Sequence, residues 1–230
     1  MIFRQLFERE SSTYTYLVAC TETRSAALID TVKSEVVKYL QLLTELDLQL
    51  VYVLDTHTHA DHITGAGELR DATDCKTLLG QEAGSACVSQ ALHDGDQIPV
   101  GNLILKAIYT PGHTDDSYCY VLEHRNQICV FTGDTLLIRG TGRTDFQNGS
   151  AVDQYHSLFS KLLTLPDHTL VYPAHDYKGW QLSTIAEEKA HNPRLQVPNV
   201  DAYVELMGNL DLPNPTLMDV AVPANRACGK

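Results

Sequence analysis

Short β-rich runs and longer stretches of helical spacing alternate along this 230-residue chain. The segments 12–20 and 25–30 are rich in β-branched and aromatic residues and surround a polar turn, so they predict a β-hairpin. Apolar residues at helical spacing predict an amphipathic helix over 34–48. The continuous apolar run 48–54 then predicts a strand that is buried on both faces. We therefore expect a hairpin, a helix and a buried strand in the first part of the chain.

The rest of the chain repeats this mixture of strands and helices. Further strands are predicted at 76–80, 103–110 and 169–176, and a second hairpin is predicted at 117–123 and 127–134. Helices are predicted within 63–73 and at 152–165, 183–193 and 200–210, whereas the proline-rich segment 211–230 is expected to be irregular. Two hairpin-rich stretches separated by helices indicate an α/β sandwich.

Histidine and aspartate recur in four polar loops, each at the end of a predicted apolar strand. The loops are THTHADH (56–62), PGHT (111–114), TGDTL (132–136) and PAHD (173–176). Proteins of α/β type place their functional sites at such strand ends. Imidazole and carboxylate groups are ligands for zinc and iron, so the sequence predicts a metal site assembled from the four loops.

The first of these loops holds enough ligands for two metal ions. His57 and His59 project to one face of an extended loop, because side chains alternate with a period of two. Asp61 and His62 begin the next turn and can point elsewhere, so a two-centre site fits the spacing. Without a bound cation, these four groups would repel and desolvate one another. A purely structural role for the cluster is therefore not expected.

The composition narrows the classes of partner. Hydrophobic residues make up 43% of the chain and charged residues 20%, which suits a globular core. The net charge of −12 argues against nucleic acid and against anionic membrane surfaces, both of which need clustered lysine and arginine. No apolar run approaches the ~20 residues of a membrane span. An anionic substrate would need a local basic patch.

The six cysteines show no CxxC spacing. Four of them fall in or directly beside predicted strands or helices, where a buried and unreactive thiol is the usual role. We therefore expect neither a cysteine zinc site nor a disulfide framework, and a reducing compartment follows. The N-terminus lacks the long apolar core and the small-residue cleavage site of a signal peptide. A start at Met1 without a presequence favours a bacterial cytoplasm.

The ligand loops resemble those of the metallo-β-lactamase superfamily. The matching residues are His57, His59, Asp61, His62, His113, Asp134 and His175. The resemblance implies an α/β fold, the αβ/βα four-layer sandwich, with the metal site at one edge of the two sheets. In dinuclear members such as glyoxalase II, the corresponding residues bind two metals. His57, His59 and His113 would then hold one metal, Asp61, His62 and His175 the other, and Asp134 would bridge them.

A closer resemblance is to the persulfide dioxygenases. It lies in the blocks 138–150, 172–179, 192–195 and 207–229 and covers nearly the whole chain. Glyoxalase II instead carries a longer helical C-terminal domain, whereas this tail is short and proline-rich. We therefore expect a single metallo-β-lactamase-like domain over 1–230 with a short C-terminal extension. One departure is Thr141, where relatives often have a cysteine between two glycines.

This resemblance implies one Fe(II) per chain, held by His57, His113 and Asp134. The remaining four residues, His59, Asp61, His62 and His175, would surround the iron or stay without a metal. The implied reaction converts glutathione persulfide, O₂ and water to glutathione and sulfite. The main alternative is a dinuclear zinc thioester hydrolase of glyoxalase II type, which the unbroken ligand set supports. A non-catalytic metal-binding or sulfide-binding module is a further alternative.

Glutathione carries two carboxylates, so this acidic protein must present cations or hydrogen-bond donors locally. The candidates are Arg143, Tyr177, Lys178 and Arg194, each of which lies in or beside a block shared with the family. An arginine in GTGRTDF could instead brace the glycine-rich loop or pair with Asp145. The expected partners are glutathione persulfide and O₂, with no nucleic acid and no membrane, and the expected assembly is a monomer or homodimer.

Overall fold

Two six-stranded β-sheets form the centre of the protein, whose computed structural model describes residues 1–212 and 217–230. The first sheet contains β1 (Ile2–Glu8), β2 (Thr13–Ala19), β3 (Ser25–Ile29), β4 (Gln49–Leu54), β5 (Lys76–Gly80) and β6 (Gln90–Leu92). The second contains β7 (Gln97–Val100), β8 (Leu103–Tyr109), β9 (Tyr118–His124), β10 (Gln127–Gly133), β11 (Leu170–Pro173) and β12 (Ser183–Thr184). The spatial order of the strands follows the chain in both sheets. Strands β3 to β6 run parallel, as do β10 and β11, and the other neighbours are antiparallel.

Helices cover the outer faces of both sheets. They are α1 (Val36–Glu45), α2 (Ala66–Thr73), α3 (Ala151–His156), α4 (Ile185–His191), α5 (Val200–Gly208) and α6 (Met218–Arg226). Tyr39 of α1 packs with Leu17 of the first sheet, and Tyr203 of α5 packs with Val130 of the second. The layers therefore follow the order helix, sheet, sheet, helix, which confirms the predicted αβ/βα four-layer sandwich. Within residues 1–212 and 217–230, no helix has the length and apolarity needed to cross a membrane.

Aromatic side chains fill the space between the sheets. The ring of Tyr16 on β2 lies 5.0 Å from that of Phe131 on β10 and 5.5 Å from that of Tyr172 on β11. The side chain of Tyr16 faces the second sheet, and that of the next residue, Leu17, faces the helices. Strand β2 is therefore buried on both faces. Full burial of each such side chain contributes about 1.5–3 kcal/mol. This packing fixes the two sheets relative to each other and so aligns the strand ends.

The predicted interior strands and hairpins are confirmed, and the missed strands lie at sheet edges. No strand was predicted for Ile2–Glu8, Gln90–Leu92 or Gln97–Val100, which form β1, β6 and β7. Edge strands are half solvated, so their apolar signal is weaker than that of central strands. The helix predicted over 152–165 begins correctly as α3 but continues as a π-helical turn over Ser157–Lys161.

The prediction of an irregular tail is wrong for its second half. Met218–Arg226 forms α6 although Pro223 lies inside it. Proline removes one helical hydrogen bond, and buried contacts of Ala221 and Asn225 with the body of the protein offset this loss. Part of the predicted irregular segment, residues 213–216, lies outside the described residues.

The expectation that the chain has no disulfide is also wrong. Cys87 and Cys228 form a disulfide across a sequence separation of 141 residues. No local spacing motif announces such a pair, because the fold alone brings the two residues together. The other four cysteines (Cys20, Cys75, Cys119 and Cys129) are free and buried, as predicted. The prediction of a reducing compartment was based on the expected absence of disulfides, so the cysteines no longer support it.

Candidate metal centre

Four strand ends deliver the predicted ligands to one place. His57 follows β4, His113 follows β8, Asp134 follows β10, and His175 follows β11. Potential ligand atoms of these loops fall into two groups, each with its atoms within 4.8 Å of one another. The convergence predicted from the four strand ends is therefore observed.

The close approach of the first and third loops depends on Gly133. This residue has a φ of +51°, and a Cβ atom there would lie 2.6 Å from the Thr56 hydroxyl oxygen. Its carbonyl accepts a hydrogen bond of 3.0 Å from the N–H of Ala174, next to His175. A glycine thus lets three ligand loops meet without a steric clash.

The first cluster consists of His57, His113 and Asp134. Nδ1 of His57 lies 3.0 Å from the hydroxyl oxygen of Thr56. Nδ1 of His113 donates to the carbonyl of Arg143 at 2.7 Å, which leaves the lone pair of His113 on Nε2. That Nε2 lies 3.5 Å from Oδ2 of Asp134. Two imidazoles and one carboxylate from three loops thus face one another.

The second cluster consists of His59, Asp61, His62 and His175. Oδ2 of Asp61 lies 3.2 Å from Nδ1 of His62 and 3.4 Å from Nε2 of His175. The ring centroids of His59 and His62 lie 4.3 Å apart, with the ring planes tilted by 35°. Three of the four residues come from one short loop, and only His175 comes from a distant strand end.

Asp134 connects the two clusters. Its Oδ2 faces Nε2 of His113 at 3.5 Å, and its Oδ1 faces Nε2 of His175 at 3.7 Å. Each carboxylate oxygen therefore points to a different cluster. This is the arrangement that a bridging ligand needs, and it is equally compatible with one metal in the first cluster.

The unpaired buried atoms test whether these residues fit a metal cation. Among the described residues, Nδ1 of His59, Nε2 of His62 and Oδ1 of Asp134 are buried without a hydrogen-bond partner. Leaving such a group unpaired costs about 1–3 kcal/mol each. All three atoms offer lone pairs in a set of imidazoles and carboxylates, which is the donor chemistry of zinc and iron sites. The residues present therefore fit a metal.

The electrostatics give the histidines of the site different protonation states. Burial lowers the pKa of His57 and of His59 well below the usual range, so both imidazoles are neutral at pH 7. Burial alone would raise the pKa of Asp61, but His175 lowers it well below its usual range. Burial opposes a charge on His175, yet Asp61 and Asp134 raise its pKa to about 9.

Two buried aspartates beneath the first loop were not predicted as part of the site. Asp30 accepts from the N–H of Thr56 at 2.7 Å and lies 3.1 Å from Nε2 of His59, which turns Nδ1 of that ring toward the second cluster. Burial raises the pKa of Asp30 to about 6 and, together with Asp30, that of Asp55 to about 7. The Thr64 hydroxyl donates to Asp55 at 2.9 Å. Asp30 ends one predicted strand and Asp55 directly follows another, which was the available signal.

Similarity to known proteins agrees with this geometry. A sequence model of the metallo-beta-lactamase superfamily matches residues 9–175. The mitochondrial persulfide dioxygenase ETHE1 of Homo sapiens is 46% identical over 230 residues, which cover 100% of this chain and 89% of the human protein. The chain belongs to the persulfide dioxygenase family of the metallo-β-lactamase superfamily. This family resemblance was predicted from the sequence blocks and is confirmed.

A solved member of the family has the same fold over its full length. The crystal structure of ETHE1 from Myxococcus xanthus superimposes with a TM-score of 0.96 at 53% identity and covers all of both chains. A hydroxyacylglutathione hydrolase of Polaromonas is 39% identical over 168 residues, which are 71% of this chain and 62% of the hydrolase. The similarity to persulfide dioxygenases thus spans the whole chain, whereas the similarity to this hydrolase is partial.

Two predicted substrate-binding arginines of this family member contact its glycine-rich loop. Arg143 makes two hydrogen bonds of 2.7 Å to the carboxylate of Asp145, and its guanidinium lies 4.3 Å from the ring centre of Phe146. Arg194 donates to the carbonyl of Thr141 and, at 3.1 Å, to the Thr141 hydroxyl. Burial lowers the pKa of Arg194. Both side chains therefore brace the loop that follows Asp134.

Thr141, the departure noted in the sequence, takes part in this bracing. Its buried hydroxyl accepts hydrogen bonds from Arg194 at 3.1 Å and from the phenol of Tyr203 at 3.2 Å. A thiol is a weaker acceptor than a hydroxyl. The threonine therefore couples α5 and Arg194 to the glycine-rich loop.

The other two predicted substrate-binding residues lie on the exposed side of the site. The Tyr177 side chain is 71% exposed, and its ring lies parallel to that of His175 with centroids 6.0 Å apart. Nζ of Lys178 lies 5.5 Å from the ring centre of Trp180. Tyr177 is thus both accessible and adjacent to a residue of the second cluster.

Proposed function

We propose that the chain is a persulfide dioxygenase that converts glutathione persulfide, O₂ and water to glutathione and sulfite. One Fe(II) per chain would be held by His57, His113 and Asp134. The proposal is supported by the full-length similarity to persulfide dioxygenases and by the grouping of these three residues within 4.8 Å. Two histidines and one carboxylate are the ligand pattern of non-haem iron oxygenases.

The residues of the site have distinct roles in this reaction. When held by these three residues, Fe(II) would supply the redox centre at which the persulfide sulfur is oxidised by O₂. The carbonyl of Arg143 holds His113 in the tautomer with its lone pair on Nε2, and the hydroxyl of Thr56 holds the ring of His57.

Recognition of the glutathione moiety is proposed to involve the four predicted residues in two different ways. Tyr177 is exposed beside the second cluster and can donate a hydrogen bond to a glutathione carboxylate or amide. Lys178, its neighbour, supplies a positive charge. Arg143 and Arg194 hold the glycine-rich loop, so we propose that they shape the substrate-binding surface and attract the anion over a longer range.

Metal content and oxygen uptake test the proposal together. Anaerobically purified protein should contain about one iron per chain and should consume O₂ when glutathione persulfide is added. Sulfite should accumulate in proportion to the O₂ consumed. Two zinc ions per chain, with hydrolysis of glutathione thioesters and no O₂ uptake, would refute it.

A dinuclear zinc hydrolase is the second candidate, and one observation favours it. Nδ1 of His59 and Nε2 of His62 are buried without a hydrogen-bond partner among the described residues, as expected for atoms that bind a metal. Asp134 faces both clusters. A hydroxide between two metals would suit hydrolysis. Metal titration separates the candidates, because the hydrolase needs two equivalents for full activity and the dioxygenase needs one.

The domain organisation, the subunit number and the cellular location that we propose are those predicted from the sequence. We propose a single domain over 1–230 with a short C-terminal extension, a monomer or homodimer, and a bacterial cytoplasmic location. The human relative is named as mitochondrial. Light scattering after gel filtration would give the subunit number directly.

A further inference from the structure

One buried carboxamide near the C-terminus contacts the backbone of the first ligand loop. Nδ2 of Asn225 donates to the carbonyls of His59 and His62, both at 2.8 Å. Its Oδ1 accepts from the N–H of Thr64, also at 2.8 Å. The Asn225 side chain is 5% exposed. A single side chain thus satisfies three backbone groups of the loop that carries most of the second cluster.

The position of these contacts gives them a geometric consequence. The two carbonyls lie on either side of Asp61, so the carboxamide joins both ends of the turn that presents this carboxylate. Irregular backbone in a buried loop needs such partners, because its N–H and C=O groups have no regular ladder. The turn that orients His59, Asp61 and His62 is therefore held by a residue more than 160 positions away in sequence.

The segment that carries Asn225 is itself fastened to the elements beside this loop. The Cys228 carbonyl accepts from the N–H of Gly67 at 2.9 Å, and the Cys87–Cys228 disulfide closes the contact. Lys33 donates from Nζ to the carbonyl of Gly229 at 2.6 Å. Gly229 has a φ of +82°, and a Cβ there would lie 2.1 Å from the Thr64 carbonyl oxygen. The chain end thus lies in direct contact with the ligand loop.

We propose that Asn225 is a positioning residue for the metal centre, and that the Cys87–Cys228 disulfide keeps it in place. Its carboxamide sets the turn that orients His59, Asp61 and His62 beside the first cluster. The inference rests on the proposed metal site but not on the proposed reaction. Reduction of the disulfide loosens α6 and, through Asn225, the ligand loop.

An isosteric substitution separates hydrogen bonding from packing. Asn225→Asp keeps the shape but loses both N–H donors, and Asn225→Ala removes the side chain. In the metal-free protein, amide hydrogen exchange of the peptide covering 59–64 should become roughly tenfold faster or more in both variants. The affinity for Fe(II), measured anaerobically against a competing chelator, should fall by a similar factor.

A matched asparagine serves as the control. Asn199 is exposed and caps α5 by accepting from the N–H of Ala202 at 3.0 Å. Asn199→Ala should lower the melting temperature but leave both the exchange of 59–64 and the Fe(II) affinity unchanged. Equal effects in Asn199→Ala and Asn225→Ala, or a wild-type result for Asn225→Asp, would overturn the proposal.

The disulfide offers a milder perturbation should the Asn225 variants not fold. Cys228→Ser leaves Asn225 intact and should give a smaller acceleration of exchange over 59–64. If amide hydrogen exchange over 59–64 is unchanged in the folded Cys228→Ser variant, the proposed role of the disulfide is wrong. Because exchange is measured without metal, its outcome does not depend on whether the protein later proves to be an iron dioxygenase or a zinc hydrolase.

Discussion

The two clusters of the metal centre are adjacent but are built in different ways. The first cluster takes one ligand from each of three strand ends, so it exists only when both sheets are packed. The second takes His59, Asp61 and His62 from one loop and only His175 from elsewhere. The first cluster is thus a product of the whole fold, whereas the second is largely a product of one turn.

The supports of the clusters differ in the same way. In the first cluster, the imidazoles of His57 and His113 are oriented by groups within the site, namely the Thr56 hydroxyl and the Arg143 carbonyl. In the second cluster, the backbone itself is held from outside by Asn225. A cluster made by one irregular turn needs an external support to keep its geometry, and a cluster made by three strand ends of packed sheets does not.

The largest expected effect is that of Asp134→Ala, because Asp134 is shared by both clusters. Its removal takes one of the three proposed iron ligands from the first cluster and one carboxylate partner of His175 from the second. Iron should be absent from the purified variant and O₂ uptake with glutathione persulfide should be lost. Iron content is measured by mass spectrometry of the metal, and circular dichroism checks the fold.

His62→Ala tests whether the second cluster binds the catalytic metal. His62 lies in the second cluster, so the variant should keep most of its iron while activity falls roughly 10- to 100-fold, as for other residues beside a metal site. The same metal analysis and oxygen-electrode assay apply. A loss of iron as complete as in Asp134→Ala would instead favour the dinuclear site.

These two residues also show how far sequence reasoning reaches. Asp134 and His62 follow apolar strands, and that local pattern was enough to predict both as members of a metal site. Asp30 has the same signal but was missed, because a single carboxylate after a strand is not distinctive. Asn225 and the Cys87–Cys228 pair had no local signal at all. Their roles depend on contacts across 141 or more residues, which only the packing of the fold creates.

Cys87→Ser tests whether the second cluster depends more than the first on support from the C-terminal segment. Loss of this disulfide should lower the free energy of unfolding by about 2–5 kcal/mol, measured by urea denaturation. Local hydrogen exchange should rise more in the loop of His62 than in the loop of His113. A reductant should lower the stability of the wild type and leave that of the variant unchanged. Similar exchange increases in both loops would contradict the contrast.

The smallest effect is expected for Tyr177→Phe, which leaves both clusters intact. The phenol is exposed, so the free energy of unfolding should stay within about 0.5 kcal/mol of the wild type. Loss of one hydrogen bond to a charged glutathione carboxylate weakens binding by about 1.5–3 kcal/mol, which corresponds to a KM roughly 10- to 100-fold higher.

kcat and iron content should remain close to wild type, because Tyr177 stacks beside His175 but lies outside both clusters. Steady-state O₂ uptake at varied glutathione persulfide gives both constants. A fall in kcat at unchanged KM would contradict a role of Tyr177 in substrate binding and would indicate a role in the reaction itself.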